Sequence, residues 1–237
     1  MKAVIQAGGK GTRLRPYTLV LPKPLMPVGD RPVIELLLKW LRRNGVEEAF
    51  VTTGYLGHLI RAVCGDGSQW DMRIHYSEEP EPLGTVGALR LVEDALTETF
   101  LMLNGDLITD LDLRAFREAH QQSGALVSVA VARKDVRVDL GVIEADDGFL
   151  IGFKEKPVMA FLVSMGVYCM EPQVIDLIPR GVPFGFDDLM HAMLDRKLPV
   201  HVYEHHGIWM DIGRPEDYQK AQRLVSEHES LFGGDMA

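Results

Sequence analysis

The first twenty-five residues constrain this chain more than any other stretch. A short apolar run, Ala3-Val4-Ile5, feeds into Gly8-Gly9-Lys10-Gly11-Thr12-Arg13, and Leu21-Pro22-Lys23-Pro24-Leu25 follows soon after. Three glycines within four positions predict a strand that turns sharply, because glycine accepts φ > 0 and lets backbone N–H groups crowd close to an anion. Arg13 offers a planar fork of donors suited to phosphate, and Lys23 a compact point charge. Prolines on both sides of Lys23 fix φ there and restrict the residues before them, so a stiff loop aims the ammonium. The stretch reads as a cradle for a polyphosphate.

Other glycine loops compete with that reading. A Walker A loop needs G-x-x-x-x-G-K-[ST], whereas the only lysine in this run lies between Gly9 and Gly11 and no Ser or Thr follows it. A dinucleotide fingerprint needs a third glycine where Leu14 stands. A plain glycine-rich strand-to-helix turn remains open for the first block alone, and Pro22-Lys23-Pro24 shifts the balance toward function.

Taken together, Gly9-x-Gly11-Thr12-Arg13, eight residues and then Pro22-Lys23-Pro24 resemble the signature of the sugar-1-phosphate nucleotidylyltransferases, or nucleotide-sugar pyrophosphorylases. Gln6 is a small departure, since that family usually carries an apolar residue there. The resemblance implies a Rossmann-like α/β fold: a mostly parallel central sheet with helices on both faces, plus a smaller mixed or antiparallel sugar-binding part. It implies one nucleotidyltransferase domain over residues 1–237, with a nucleotide-binding part at 1–112 and a sugar-phosphate-binding part and closing helix at 113–237.

Hydrophobic patterning supports that layout. Residues 33–41 have helical periodicity and stop at Asn44-Gly45; 49–53, 73–76 and 100–103 read as strands, with helices at 58–63, 85–96 and 111–122 between or after them. Strand and helix in alternation predict a parallel sheet. From residue 126 the rhythm changes to strands at 126–131, 141–144, 149–153 and 161–168. Helical pieces at 173–178 and 187–195, a strand at 200–203 and a helix at 215–229 follow, with 232–237 frayed. No internal repeat or hexapeptide pattern is present.

With 237 residues, 46% of them hydrophobic, the chain suits one large globular domain or two joined lobes. A formal net charge of −9 argues against nucleic acid or an anionic membrane as partner. The two cysteines, Cys64 and Cys169, form no CxxC pair, so core packing in a reduced, cytoplasmic setting is the simplest inference. The opening apolar stretch is too short for a signal peptide, and no run approaches a membrane span. A homo-oligomer is compatible with these features but not read from them.

Two carboxylates stand out. Asp106 follows the apolar strand at 100–103, and ligands of open α/β sheets bind outside the carboxyl ends of strands. Asp211 sits between apolar residues and a glycine turn in Trp209-Met210-Asp211-Ile212-Gly213. Alone, Asp106 reads better as a turn Asp after Asn104-Gly105, and Asp211 can be a capping Asp before the final helix; the resemblance implies that together they hold Mg²⁺, which favours carboxylates, phosphate oxygens and water.

The resemblance also implies a base site at Gly84 and Thr85, whose helix start would point amides into the cleft. Five residues before Gly84, where uridylyl and thymidylyl relatives carry glutamine, stands Glu79. A carboxylate only accepts, and the N1–H and N2–H₂ edge of guanine matches it best, so GTP is the expected nucleotide; a solvated acidic loop is the alternative. By the same resemblance Gly141, Glu155, Lys156 and Ser164 would meet the sugar phosphate, although Glu155-Lys156 is equally a surface pair. Gly8, Gly9, Gly11, Thr12 and Arg13 would hold the triphosphate, and Arg13, Lys23 and Asp106 would be catalytic.

The expected reaction is transfer of a nucleoside monophosphate from an NTP to a mannose- or heptose-like sugar 1-phosphate, with pyrophosphate released. A uridylyl- or thymidylyltransferase and a catalytically silent nucleotide-binding subunit are the alternatives; a nicotinamide oxidoreductase is disfavoured by Leu14.

Overall fold

In the computed structural model, which describes residues 1–228, strand β1 (Lys2–Ala7) lies inside a seven-stranded sheet and fully buries Ala3, Val4 and Ile5. A minimal pair, β2 (Pro27–Val28) and β3 (Arg31–Pro32), leads into helix α1 (Val33–Arg43). Residues 33, 34, 36, 37, 38 and 41 fall on one inward face of α1, and Gly45 at φ 82° ends the turn beyond Asn44. β4 (Glu48–Thr53), α2 (Gly57–Cys64) and β5 (Arg73–Glu78) follow. Next come a single helical turn, α3 (Gly84–Gly87), and β6 (Phe100–Asn104).

β7 (Leu107–Thr109) precedes α4 (Leu113–Ser123), whose Asp112 cap accepts from the amides of Arg114 and Ala115 at 2.9 and 3.1 Å. β8 (Val127–Arg137), β9 (Val142–Asp146), β10 (Phe149–Lys154) and β11 (Val158–Met170) form the strand-rich part. α5 (Phe186–Asp195), β12 (Val200–His205), β13 (Trp209–Asp211) and α6 (Pro215–Glu227) complete the described chain.

The sheet order is β12-β8-β11-β6-β1-β4-β5. β11 runs antiparallel to both neighbours and every other adjacent pair is parallel, so the expected mostly parallel α/β sheet is what forms. Alternation along β1 sends Ile5 to a layer with Ile34 of α1, Ile60 of α2 and Phe116 of α4, and Val4 to the opposite layer with Val86, Leu189 and Met193. Helices therefore cover both faces. The sheet crosses residue 112 without interruption.

Past Ala132, where β12 stops pairing, β8 and β11 continue as a two-stranded ribbon to Arg137 and Val158. The β9–β10 hairpin lies between the two ribbon strands in the sequence, and Phe149, Ile151 and Phe153 on it, with Leu140 just before it, are exposed. Cys64 and Cys169 are free and buried, and burial pushes both thiols up to about 12, as core packing requires. Among the described residues no helix is long and apolar enough to cross a membrane.

Two elements differ from expectation. The helix read at 85–96 is one α-turn followed by tighter 3₁₀ turns over Ala88–Ala95, and 173–178 is likewise 3₁₀, over Pro172–Leu177. Glycines at 84 and 87 weaken the α-helix, and the Arg90 guanidinium is drawn onto the Ile178 carbonyl by two bonds of 2.9 and 2.6 Å. The pairing of β13 with β7 has no counterpart in the sequence pattern. The end of the last predicted helix, at 229, and the segment 232–237 lie outside the described residues.

Candidate active site

A cavity of about 420 Å³ opens beyond the carboxyl ends of β1 and β6, in the range of small-ligand sites. Gly8, Gly9, Gly11, Thr12, Arg13 and Lys23 line it from the first loop. Glu79, Gly84 and Thr85 line it from the segment after β5, and Asp106 from the turn after β6.

The loop is folded onto its own anchor. Gly11 sits at φ 57°, its carbonyl accepts from the Thr18 hydroxyl at 2.8 Å, and a Cβ there would lie 2.9 Å from the Thr18 methyl and 3.4 Å from the Lys23 Cβ. Only glycine satisfies both the left-handed backbone and that contact. The Pro22-Lys23-Pro24 segment forms a 3₁₀ turn with Pro24 and Leu25 buried, so the lysine stem is fixed from below.

Lys23 reaches inward. Its ammonium pairs with Asp106 and lies 3.4 Å from Asp211 Oδ1. Burial holds its pKa below the usual lysine value, with Asp211 pulling it back up and Arg13 adding to the lowering. Asp211 arrives through register: β13 pairs antiparallel with β7, setting Asp211 opposite Leu107, and the Ile212 amide donates to the Asp106 carbonyl at 3.2 Å. Arg13 closes the group, since a Cβ on Gly213 would meet Asp211 Oδ2 at 3.2 Å and the Arg13 guanidinium at 3.5 Å. Two cations and two carboxylates thus stand together at the edge of a glycine loop.

Glu79 lies across the loop. Its Oε2 accepts the Leu83 amide at 2.9 Å, its own amide donates to the Thr53 carbonyl at 2.8 Å, and burial raises its pKa, with the Leu83 hydrogen bond opposing. Gly84 (φ 77°) and Thr85 line the cavity. The amides of Val86 and Gly87 donate to the Phe184 carbonyl at 3.1 and 2.9 Å, and the Thr85 hydroxyl accepts from the Phe186 amide at 2.9 Å. Those contacts tie the single turn of α3 to the segment before α5.

The four residues assigned to the sugar phosphate stand elsewhere. Gly141, Glu155, Lys156 and Ser164 are outside the cavity lining, and all four are exposed. Gly141 packs on the Phe153 ring and lies 3.4 Å, from its would-be Cβ, to Glu155 Oε2; Lys156 turns at φ 44°. The Ser164 hydroxyl bonds the Tyr168 hydroxyl at 3.0 Å and accepts the Gly166 amide at 3.2 Å. Sequence reasoning gives no role to Gln6 or Asn104, which line the cavity from paired positions on β1 and β6. The readable sign is a polar residue closing each of two otherwise apolar strands.

Among the described residues no trio of His, Cys, Asp or Glu is placed to hold a metal. Asp106 and Asp211 provide two hard oxygen donors converging on one cation, which fits a Mg²⁺ ion completed by phosphate and water.

A doubly covered α/β sheet with a glycine-lined cleft beyond its strand ends is the architecture of a mononucleotide-binding protein. The comparisons narrow the class: the nucleotidyl transferase family matches residues 2–228, and the chain belongs to that family. A UTP–glucose-1-phosphate uridylyltransferase of Synechocystis is 34% identical over 249 residues, covering 97% of this chain and 64% of the relative. A mannose-1-phosphate guanyltransferase of Schizosaccharomyces pombe is 35% identical over 231 residues, covering 92% and 62%. The chain spans less than two thirds of the length of these curated relatives. Among solved structures, a candidate glucose-1-phosphate thymidylyltransferase from Bacillus anthracis in complex with sucrose superposes with a TM-score of 0.76 at 26% identity, covering 99% of this chain and 100% of that one. HddC from Yersinia pseudotuberculosis complexed with GMP-PN gives 0.74 at 25% identity, covering 94% and 99%.

Proposed function

We propose that the chain transfers a nucleoside monophosphate from an NTP, GTP in preference, to a sugar 1-phosphate. The observation that carries this reading is the Lys23 ammonium set between Asp106 and Asp211 beside a glycine loop. In such a reaction a phosphate oxygen of the sugar phosphate attacks the α-phosphorus in line. A new P–O bond forms, the bond to the bridging oxygen of the β-phosphate breaks, and pyrophosphate leaves. The attacking group is already an anion, so the protein's task is alignment and charge stabilisation rather than proton transfer.

In this reading Arg13 and the loop at Gly8, Gly9, Gly11 and Thr12 hold the triphosphate. Lys23 offsets the negative charge that builds during transfer. Asp106 and Asp211 would hold Mg²⁺, which when bound supplies Lewis-acid polarisation of phosphate oxygens. Glu79 accepts from the donor edge of guanine. The names of the mannose-1-phosphate guanyltransferases and of the GMP-PN complex support a guanine nucleotide. The Synechocystis relative favours a second reading, transfer of a uridylyl group. The sugar phosphate would engage Gly141, Glu155, Lys156 and Ser164.

The deciding experiment measures pyrophosphate release with each of four NTPs against mannose, glucose and heptose 1-phosphates. Turnover with GTP above the other nucleotides is expected. A UTP preference replaces the guanine reading with the uridylyl one, and absence of turnover with every pair overturns the assignment.

A further inference from the structure

Two polar side chains in the cleft, Gln6 and Asn104, are left over by the roles above, and of the two Gln6 carries a buried unpaired donor. Gln6 is the next-to-last residue of β1, and its side-chain Oε1 accepts the hydroxyl of the fully buried Thr52 at 2.8 Å. That bond orients the amide and turns Nε2 away, and Nε2 is buried with no hydrogen-bond partner. A buried unsatisfied N–H₂ costs free energy on the order of 1–3 kcal/mol, so its persistence at a cavity wall calls for a partner.

Position indicates which partner. Gln6 and Glu79 both line the cavity, and the Glu79 Oε1 fills the place that a Cβ on Gly8, two residues past Gln6, would take. An acceptor-only carboxylate and a donor amide therefore share one cavity. Guanine presents the complementary order on its Watson–Crick edge: N2–H₂ and N1–H as donors, then O6 as an acceptor. Uracil and thymine flank one donor with two acceptors, and adenine has a single donor group, N6–H₂, beside its N1 acceptor, so neither offers two adjacent donor groups.

We propose that Gln6 is a specificity-determining residue whose Nε2 donates to guanine O6, while Glu79 takes N1–H and N2–H₂. The proposal rests on the guanine reading of Glu79 and adds a second, independent contact. Gln6 holds the base by its edge and touches no reacting atom.

The test is nucleotide binding by titration calorimetry with GTP, UTP, ATP, ITP and 6-thio-GTP, without sugar phosphate. ITP lacks N2–H₂ and reports on Glu79. 6-Thio-GTP keeps both donors but replaces O6 by a weak acceptor, and reports on Gln6. The wild type is expected to bind GTP about tenfold more tightly than 6-thio-GTP, the scale of one buried hydrogen bond. In Gln6→Leu that preference collapses to near unity while the GTP-over-ITP preference persists. Gln6→Leu removes the orphan donor but also the acceptor of the buried Thr52 hydroxyl, so its melting curve is read only to establish that the variant folds. Gln6→Met, unbranched and of similar length, serves if the leucine variant does not fold. An unchanged GTP to 6-thio-GTP ratio in the folded variant overturns the role of Gln6 alone. A wild type that does not prefer GTP over UTP and ATP overturns the guanine reading, and that outcome is visible before any variant is made.

Discussion

The Glu79 carboxylate fills the space into which residue 8 would carry a side chain. A Cβ on Gly8 would lie 2.2 Å from Oε1, while Oε2 is pinned by the Leu83 amide. Gly8 is not at a positive φ, so what it provides is room, not backbone freedom. Gly8→Ala should therefore fold, because the far end of Glu79 can swing aside, but it should weaken GTP binding by about tenfold or more as Glu79 leaves the Leu83 amide. Calorimetry against a melting curve separates the two effects; an unchanged dissociation constant removes Glu79 from the base site.

Lys23 and Asp211 divide turnover from stability. Asp106 is buried, and Lys23→Ala leaves it without its closest cation, a loss of about 1–3 kcal/mol in stability. The Asp211 side chain is 40% exposed, so Asp211→Ala should melt near wild type. Both should lower kcat by about 10²–10³, measured well below the melting range. Near-wild-type turnover in either variant refutes its role.

Glu155 and Lys156 lie on the exposed strand-rich part, away from the cavity. If they meet only the sugar phosphate, Glu155→Ala and Lys156→Ala should raise KM for that substrate by about tenfold and leave KM for the NTP unchanged. Equal changes in both constants would instead make the pair structural.

His120, 1% exposed, bonds Ser128 at 2.7 Å and Glu171 at 3.0 Å. Burial lowers its pKa below the usual value of 6.5, with Glu171 opposing. The unfolded chain therefore takes up a proton at higher pH than the folded one, so stability is full above about 6.5 and is lost as pH falls from there toward the lower folded value. Melting between pH 7.5 and 5.5 should show a drop that His120→Asn reduces. Equal slopes for both proteins would count against His120 as its source.

Much of the sheet was legible because β1, β4 and β6 are continuous apolar runs and α1 repeats at helical spacing. The cradle was legible because its chemistry is local: Gly11, Lys23 and their prolines lie within fourteen positions. What brings Asp211 to Asp106 is a three-residue strand whose partner is about a hundred residues earlier, too short to leave a period. The stretch after Gly84 reads as one long helix because nothing local announces its distant partners: the amides of Val86 and Gly87 are held by Phe184 and the Arg90 side chain by Ile178, far along the chain. Of the residues assigned to the sugar phosphate, Ser164 lies on β11 while Gly141, Glu155 and Lys156 stand just outside the β9–β10 hairpin, and nothing in the strand alternation says where the β8–β11 ribbon carries them.

Because Lys23 sits between Asp106 and Asp211, one ammonium is shared by two carboxylates. Mg²⁺ held by those oxygens, as proposed above, would have to divide the pair with Lys23, so the metal and the lysine would be rivals for the same charge rather than independent tenants of the cleft.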